Sequence, residues 1–140
     1  MLLIKTKLSL SKIHGVGLFA AEFIPKGTVI WRFHPNLDNV YSKKDLESMD
    51  KVHREFLETY CFKYFGKYYL CNDDARFINH SKTPTCSEVG VNDVTDVDLG
   101  YTMAGQDIAI GEELTSDYSN FGGESDDKDF NLEALTDDLA

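Results

Sequence analysis

The sequence predicts a mainly β fold built from short strands. Stretches rich in β-branched and aromatic residues recur at 2–10, 29–33, 60–71 and 87–110, and such residues favour strands. Glycine-containing turns separate these stretches. A strong helical pattern is confined to the segment that starts at Ser42. We therefore expect a sheet-based domain with one inserted helical region.

The first strands are expected to form a meander. Residues 2–10 alternate loosely between apolar and polar side chains, and residues 29–33 form a second strand-like run. Between them, His14-Gly15-Val16-Gly17 and Pro25-Lys26-Gly27 predict tight turns. This order of strand, turn and strand is typical of short antiparallel strands that pair with their neighbours along the chain.

The helical region is predicted at about 42–59. Ser42 is suited to be the N-cap, and Asp45, three residues later, completes a partial capping box. Apolar and aromatic residues then recur at spacings of three and four, which indicates one apolar helix face. The members of that face are Leu46, Met49, His53, Phe56, Leu57 and Tyr60. The position of His53 on it favours packing or surface exposure over ligand binding.

The remaining chain is predicted to contain a hairpin, further strands and a polar tail. The hairpin covers residues 60–71 and turns near Gly66-Lys67. Strands at 87–110 are interrupted by polar turns at 90–93 and 105–106. After Tyr118 the composition shifts to Gly, Ser and Asp, and an amphipathic stretch from Phe130 to Leu139 follows.

Length and composition predict one domain that stays where it is made. Of 140 residues, 42% are hydrophobic, which suffices for one core. No apolar run reaches the roughly 18 residues of a membrane-spanning helix. The four apolar residues that open the chain, 1–4, are too few for a secretory signal. We expect an intracellular protein, in cytoplasm or nucleus, that does not associate with a membrane.

The three cysteines do not indicate a disulfide scaffold or a metal site. Cys61, Cys71 and Cys86 cannot all pair with one another, and none forms a Cys-x-x-Cys motif. Such usage is typical of a reducing compartment. His53, Cys61 and Cys71 have spacings that match no standard zinc pattern. We therefore predict no bound metal.

Charge is unevenly distributed along the chain. Residues 1–70 carry eleven Lys/Arg and seven Asp/Glu, whereas residues 71–140 carry three and seventeen, within a net charge of −10. A nucleic-acid binder requires a basic face, so direct nucleic-acid binding is not expected. The acidic half favours a cationic partner such as a lysine-rich peptide. Solubility alone also accounts for such a charge.

Three segments carry residues suited to chemistry, and each also has a purely structural explanation. In the first, Gly15-Val16-Gly17, two absent side chains let the backbone approach another group closely, or simply make a hairpin turn. It is neither a dinucleotide fingerprint nor a phosphate loop. In the second, residues 74–81, Asn79 and His80 offer donors and acceptors to a polar ligand. His80 could equally be a general base or a satisfied core histidine.

The third segment, residues 109–118, is an acidic turn before a strand that ends on Tyr118. Its hydroxyl could orient an amine, or Tyr118 could be a half-buried strand residue. None of the three segments pairs a serine or cysteine nucleophile with a clear base, which argues against hydrolase chemistry.

Taken together and in order, these segments resemble the SET domain. The resemblance runs from about Lys12 to Phe121. Its most specific part is the string Arg-Phe-Ile-Asn-His-Ser at 76–81, followed by Gly-Glu-Glu-Leu-Thr at 111–115 and Asp117-Tyr118. His14-Gly15-Val16-Gly17 and Tyr60-Cys61-Phe62 complete it.

The resemblance implies a SET-domain β-clip fold over residues 1–121, in which a C-terminal segment threads through a loop as a pseudoknot. It also implies a protein-lysine methyltransferase that uses S-adenosylmethionine. Tyr118 is then the catalytic tyrosine at the reaction centre. The implied cofactor-binding residues are His14, Gly15, Val16, Gly17, Tyr60, Phe77, Asn79 and His80.

The implied mechanism needs no dedicated base. A lysine amine must be neutral to attack a methyl group, yet its ordinary pKa is about 10.4. A narrow apolar channel and the positive sulfonium of the cofactor would both lower that pKa. Water then carries the proton away, and alignment of the amine with the methyl group supplies much of the acceleration.

The sequence departs from the family pattern at several points. The cysteine-rich segments that flank many SET domains are missing, and Lys82 stands where a cysteine is common. The acidic tail 122–140 is a candidate lid that carries Phe130, with Phe121 just before it; packing of a terminal helix is the alternative for Phe130. Ser116 stands where many relatives have an aromatic residue that limits the number of methyl groups, so the degree of methylation stays open.

The partner expected from this resemblance is a lysine-containing basic protein or peptide, histone or not. The chain is expected to act as a monomer or homodimer. The alternative function is a catalytically inactive SET-like module that binds a basic peptide.

Overall fold

The computed structural model describes residues 1–90 and 99–121, and within these ranges the fold is mainly β. The described strands are β1 (Thr6–Leu10), β2 (Val16–Ala20), β3 (Val29–Arg32), β4 (Asn39–Ser42), β5 (Phe62–Tyr64), β6 (Lys67–Leu70), β7 (Asn79–His80), β8 (Cys86–Val89), β9 (Tyr101–Ala104) and β10 (Glu113–Ser116). Two α-helices, α1 (Lys43–Glu47) and α2 (Lys51–Tyr60), lie between β4 and β5. The predicted fold class is confirmed.

Three small sheets make up the described part. Their strand orders are β1-β2-β10-β7, β3-β9-β8 and β4-β6-β5. Neighbouring strands pair antiparallel, except that β10 runs parallel to β7. The C-terminal strand β10 thus lies between β2 and β7, two strands from distant parts of the sequence. This placement brings the Asn79-His80 segment beside the end of β10, as the expected pseudoknot requires.

One hydrophobic core joins the three sheets. Its fully buried members come from β2, β3, β9 and β10 and from the loops beside them, among them Leu18, Ile30, Ile108 and Leu114, and Tyr69 of β6 also belongs to it. A separate small cluster of Leu46, Leu57, Cys61 and Leu70 holds α1 and α2 on the sheet β4-β6-β5. The larger core therefore anchors strands that carry the SET-like motifs, and the helical region is a peripheral insert. All three cysteines are buried and none forms a disulfide.

The helical region differs from its prediction in one respect: it is two helices with a break at 48–50. The Ser48 hydroxyl donates to the Asp45 carbonyl at 2.8 Å, and the Met49 amide donates to Leu46 three residues back. Asp50 has a non-helical ψ of 152° and is the N-cap residue of α2, without a side-chain cap hydrogen bond. A serine side chain that bonds a nearby backbone carbonyl competes with the helical pattern, which is consistent with the end of α1 at Glu47. Of the predicted apolar face, Leu46 and Leu57 are buried, whereas Phe56 is 45% exposed.

The predicted capping box at Ser42 is confirmed. The Ser42 hydroxyl accepts the Asp45 amide at 3.0 Å, and the Asp45 carboxylate accepts the Ser42 amide at 2.8 Å. These hydrogen bonds hold the pKa of the exposed Asp45 carboxyl below its ordinary value.

We expect Ser42→Ala to lower the free energy of unfolding by about 1 kcal/mol, because it removes the acceptor for one helix-terminal amide. Urea unfolding of the variant and of Ser42→Thr, which keeps a capping oxygen, measures the difference. Equal stability of Ser42→Ala and the parent chain would show that the cap contributes nothing.

Some predictions lie outside the described residues. These are the turn at 91–93, the side chain of Phe121 and the tail 122–140 with Phe130. Within the described residues, no helix has the length and apolar character needed to cross a membrane.

Candidate active site

Asn79 ties three distant segments together. Its side-chain amide donates to the carbonyls of His14 at 3.1 Å and Val16 at 3.2 Å, and to a Glu113 carboxylate oxygen at 3.0 Å. Glu113 also accepts the Ser11 hydroxyl at 2.7 Å. The glycine turn, β7 and β10 therefore meet at one amide group. The two motifs that the sequence analysis placed together, the glycine turn and Asn79-His80, are indeed adjacent.

The glycines of the turn have local structural roles. Gly15 has a positive φ of 44°, which suits glycine because a side chain would be crowded there. A Cβ atom at Gly17 would lie 2.7 Å from the Glu113 carboxylate. Gly17 is thus required for the close approach of Glu113, which in turn holds Asn79. Whether Gly15 and Gly17 also contact a cofactor stays a prediction.

His80 positions the tyrosine segment. Its Nδ1 accepts the backbone amide of Tyr118 at 3.0 Å, and the two rings lie 5.3 Å apart. A ring nitrogen that accepts an amide carries no proton itself, so the neutral ring is the Nε2–H tautomer. This arrangement favours a structural, orienting role for His80 over that of a general base. Cofactor binding by His80 stays a prediction.

Tyr118 is half-buried beside the Asn79-His80 strand. Its hydroxyl donates to the carbonyl of Ile78, the residue that precedes the strand. Burial, and secondarily the charge of Glu113, raises the pKa of the Tyr118 hydroxyl above its ordinary value. The hydroxyl therefore stays protonated at neutral pH. Tyr118 is half-buried, as the structural alternative expected, but it begins a 3-10 helix and is not a strand residue. Its hydroxyl is a fixed dipole next to a cleft.

A partly open cleft of about 90 Å³ adjoins Tyr118. Its wall is largely aromatic and apolar. Its polar groups come from the strands β8, β9 and β10, from the end of α2, and from Arg76 and Tyr118. The residues relevant to its chemistry are Trp31, Tyr60, Phe62, Glu88, Ser116 and Tyr118. Tyr60, which the resemblance assigned to the site, therefore shares a cleft with Tyr118. A cleft with few polar groups among apolar walls is the usual form of a small-molecule or side-chain binding site.

Phe77 does not line this cleft. The Arg76 guanidinium lies 5.0 Å from the centre of the Phe77 ring and 5.7 Å from that of Tyr60, so it bridges the two aromatic residues. Such contacts fix the orientation of both rings. Phe77 is placed to support Tyr60 through Arg76, and its direct contact with a cofactor stays a prediction.

The sequence did not predict that the carboxylate of Glu88 would line the cleft. It lies on β8, and its carboxylate accepts the Thr102 hydroxyl at 2.6 Å and the Ser116 hydroxyl at 3.0 Å. Burial raises the pKa of the Glu88 carboxyl, and the two hydrogen bonds oppose this only in part. The resemblance implied a narrow apolar channel, and the Glu88 carboxylate at this cleft corrects that expectation.

Two buried nitrogens have no hydrogen-bond partner among the described residues: Nε2 of His14 and Nε1 of Trp31. An unsatisfied buried polar atom costs on the order of 1–3 kcal/mol. Such atoms are rare in folded proteins and often mark a place for a bound group. His14 lies on the glycine turn, and Trp31 lines the cleft with Glu88.

Comparison with known proteins identifies the architecture. The family model described as "SET domain" matches residues 15–119. The chain belongs to the SET-domain family. The match covers Gly15-Val16-Gly17, Asn79, Glu113 and Tyr118, so most of the residues assembled around Asn79 lie within the matched SET domain.

One curated relative of this SET domain is a protein of Plasmodium falciparum (isolate 3D7) named "Putative histone-lysine N-methyltransferase 1". The two are 34% identical over 125 residues, which is 84% of this chain and 2% of that protein. The similarity therefore concerns one domain of a much longer protein.

Two solved structures share the fold. A humanized mutant of the Chaetomium thermophilum Polycomb Repressive Complex 2, bound to an inhibitor, aligns with a TM-score of 0.64 at 24% identity, over 84% of this chain and 15% of that one. An apo form of the same complex, substituted in Ezh2, aligns with a TM-score of 0.66 at 23% identity, over 86% and 16%. This SET domain thus spans a small part of each of these two chains.

Proposed function

We propose that this SET domain transfers a methyl group from S-adenosylmethionine to the side-chain amine of a lysine in a basic protein. The observation that carries the proposal is the junction at Asn79, which joins the glycine turn to β10. The next residue, His80, accepts the amide of Tyr118, and Tyr118 lines the cleft. Membership of the SET family and the similarity to a protein named as a histone-lysine methyltransferase support it.

The residues beside the junction fit the cofactor. S-adenosylmethionine carries an amino-acid group, a ribose and an adenine, all of which need donors and acceptors. His14 offers a buried Nε2 without a partner among the described residues. The side-chain nitrogen of Asn79 donates to oxygen atoms of the protein, whereas its side-chain oxygen has no hydrogen-bond partner in the described part of the chain. We therefore assign cofactor binding to His14, Gly15, Val16, Gly17, Asn79 and His80, with Tyr60 and Phe77 as supporting residues.

The chemistry available from bound S-adenosylmethionine is an electrophilic methyl group on a positively charged sulfur. The role of the chain is to orient the attacking amine and to restrict its motion. Trp31, Tyr60 and Phe62 would enclose the aliphatic part of a lysine side chain, since these rings line the cleft. The Tyr118 hydroxyl, held by Ile78, would direct the amine. Alignment of this kind supplies a large part of the acceleration of a two-reactant step.

The substrate proposed is a lysine-rich protein. The excess of acidic residues in the second half of the chain favours a cationic partner and would speed its capture. A histone substrate would place the protein in the nucleus, and a non-histone substrate would be compatible with the cytoplasm. The same charge argues against direct binding of nucleic acid.

The test uses S-adenosylmethionine with a labelled methyl group and a mixture of core histones and cell lysate. We expect label on lysine side chains of basic proteins. Binding of S-adenosylmethionine with no transfer to any protein would favour the alternative, a SET-like module that only binds a basic peptide.

A further inference from the structure

Glu88 is half-buried and lines the cleft, and its carboxylate has no cationic partner in the described part of the chain. Two hydroxyls hold it, from Thr102 on β9 and Ser116 on β10. In residues 1–90 and 99–121 no lysine, arginine or histidine forms an ion pair with it. Removing a carboxylate from water is costly unless a partner compensates. Two neutral hydroxyls supply only part of that compensation, because a carboxylate can accept about four hydrogen bonds.

The surroundings of Glu88 suit an ammonium group on an aliphatic stem. Trp31 and Phe62 line both the cleft beside Tyr118 and a second, adjoining cleft, and so does Glu88. The carboxylate therefore lies where the two clefts meet, between aromatic walls. Aromatic faces attract a cation, and they also pack against methylene groups. A metal ion is a poorer match, since no cluster of three potential ligands surrounds Glu88 in the described part of the chain.

We propose that Glu88 binds the ammonium form of the substrate lysine through its carboxylate, at the floor of the cleft. This inference rests on the proposed function and names the group that recognises its substrate. Hydrogen bonds from Thr102 and Ser116 keep the carboxylate aimed at one position. A lysine that enters along the aromatic wall would bring its amine next to both Glu88 and Tyr118.

The position of Glu88 predicts which kinetic constant it controls. A carboxylate stabilises the ammonium form of the lysine more than the neutral amine that reacts. Its contribution therefore belongs to binding of the ground state, and not to the transition state of methyl transfer. Glu88→Gln should raise KM about tenfold, the size expected for one charged hydrogen bond, and leave kcat unchanged or higher.

Binding can be measured without catalysis by using n-butylammonium, which has the four carbons and the ammonium group of a lysine side chain. Titration into the full chain, followed through the backbone amide signals of Thr102 and Ser116, should give saturable shifts. Uncharged 1-butanol should bind about tenfold more weakly. We expect Glu88→Gln to lose this preference, whereas Glu47→Gln, the same change at an exposed residue of α1, should keep it.

Equal binding of n-butylammonium and 1-butanol by the parent chain would overturn the inference, and this comparison requires no variant. Tenfold weaker binding of n-butylammonium by Glu47→Gln would also overturn the inference, because the loss would then follow from the change in net charge and not from the position of Glu88. Parental binding and KM in Glu88→Gln, with methyl transfer intact in both proteins, would contradict the inference and leave the proposed function standing. Preferential binding of n-butylammonium by a chain that transfers no methyl group would contradict the proposed function and leave ammonium binding by Glu88 standing.

Discussion

Tyr118→Phe is expected to lower methyl transfer by about a hundredfold or more while the fold persists. The ring would keep its burial, and the backbone amide of residue 118 would still donate to His80. What is lost is the hydroxyl that donates to the Ile78 carbonyl and that we propose directs the amine. The lost hydrogen bond should cost about 1 kcal/mol of stability. The measurement is the initial rate of labelled methyl transfer at saturating S-adenosylmethionine.

Tyr41→Phe is the matched control, because Tyr41 packs against the separate small cluster of the helical insert. This variant should transfer methyl groups at the parental rate. Near-normal turnover in Tyr118→Phe would contradict the assignment of Tyr118 to the reaction centre. A loss of turnover equal in both variants would point to a general effect of removing a phenol.

Asn79→Asp is expected to lower the free energy of unfolding by about 3 kcal/mol or more. The side-chain nitrogen of Asn79 faces three oxygen atoms, those of His14, Val16 and Glu113. Aspartate has nearly the same shape but has only acceptors when ionised, so it would face the three oxygens without a proton to share. Chemical unfolding followed by the fluorescence of Trp31, the single tryptophan of the sequence, measures the change.

The destabilisation should shrink at acidic pH, because a protonated carboxyl regains one donor. Asn36→Asp introduces the same charge at an exposed loop position and should change stability by less than about 0.5 kcal/mol. Parental stability of Asn79→Asp would show that the junction does not hold the glycine turn and β10 together.

Much of the fold could be predicted from local sequence. The capping box at Ser42 follows from two residues three positions apart, and the hairpin of β5 and β6 turns at Phe65-Gly66, close to the predicted Gly66-Lys67. The resemblance also implied that Asn79-His80 lies beside Tyr118, as the structure shows. Asn79 and Tyr118 are adjacent because β10 pairs with β7, which the resemblance implied and composition alone could not.

Other features depend on contacts that local sequence does not reveal. Glu88 is one acidic residue among many in the second half of the chain. Its distinct environment arises only when hydroxyls 14 and 28 residues away, on Thr102 and Ser116, are brought to it by the pairing of strands. The role of Gly17 also depends on a distant residue. Its missing side chain makes room for the Glu113 carboxylate, besides suiting the turn that the sequence predicts.

The break in the helical region illustrates the limit of periodicity. Leu46, Met49 and Leu57 satisfy a helical spacing, and a continuous helix would have placed them on one face. The Ser48 hydroxyl instead bonds back to the Asp45 carbonyl, and Asp50 starts a new helix. Side chains that compete for backbone hydrogen bonds can divide a periodic segment without disturbing its apolar pattern.

Mass spectrometry of a cell lysate tests the central claim most directly. The lysate is incubated with the protein and S-adenosylmethionine, and methylated residues are mapped in parallel reactions with the parent chain and with Tyr118→Phe. Lysine methyl transfer predicts new methyl groups on lysines of basic proteins, present with the parent chain and absent with Tyr118→Phe. Bound S-adenosylmethionine without any new methyl-lysine, or methyl groups that appear equally with both proteins, would contradict the account.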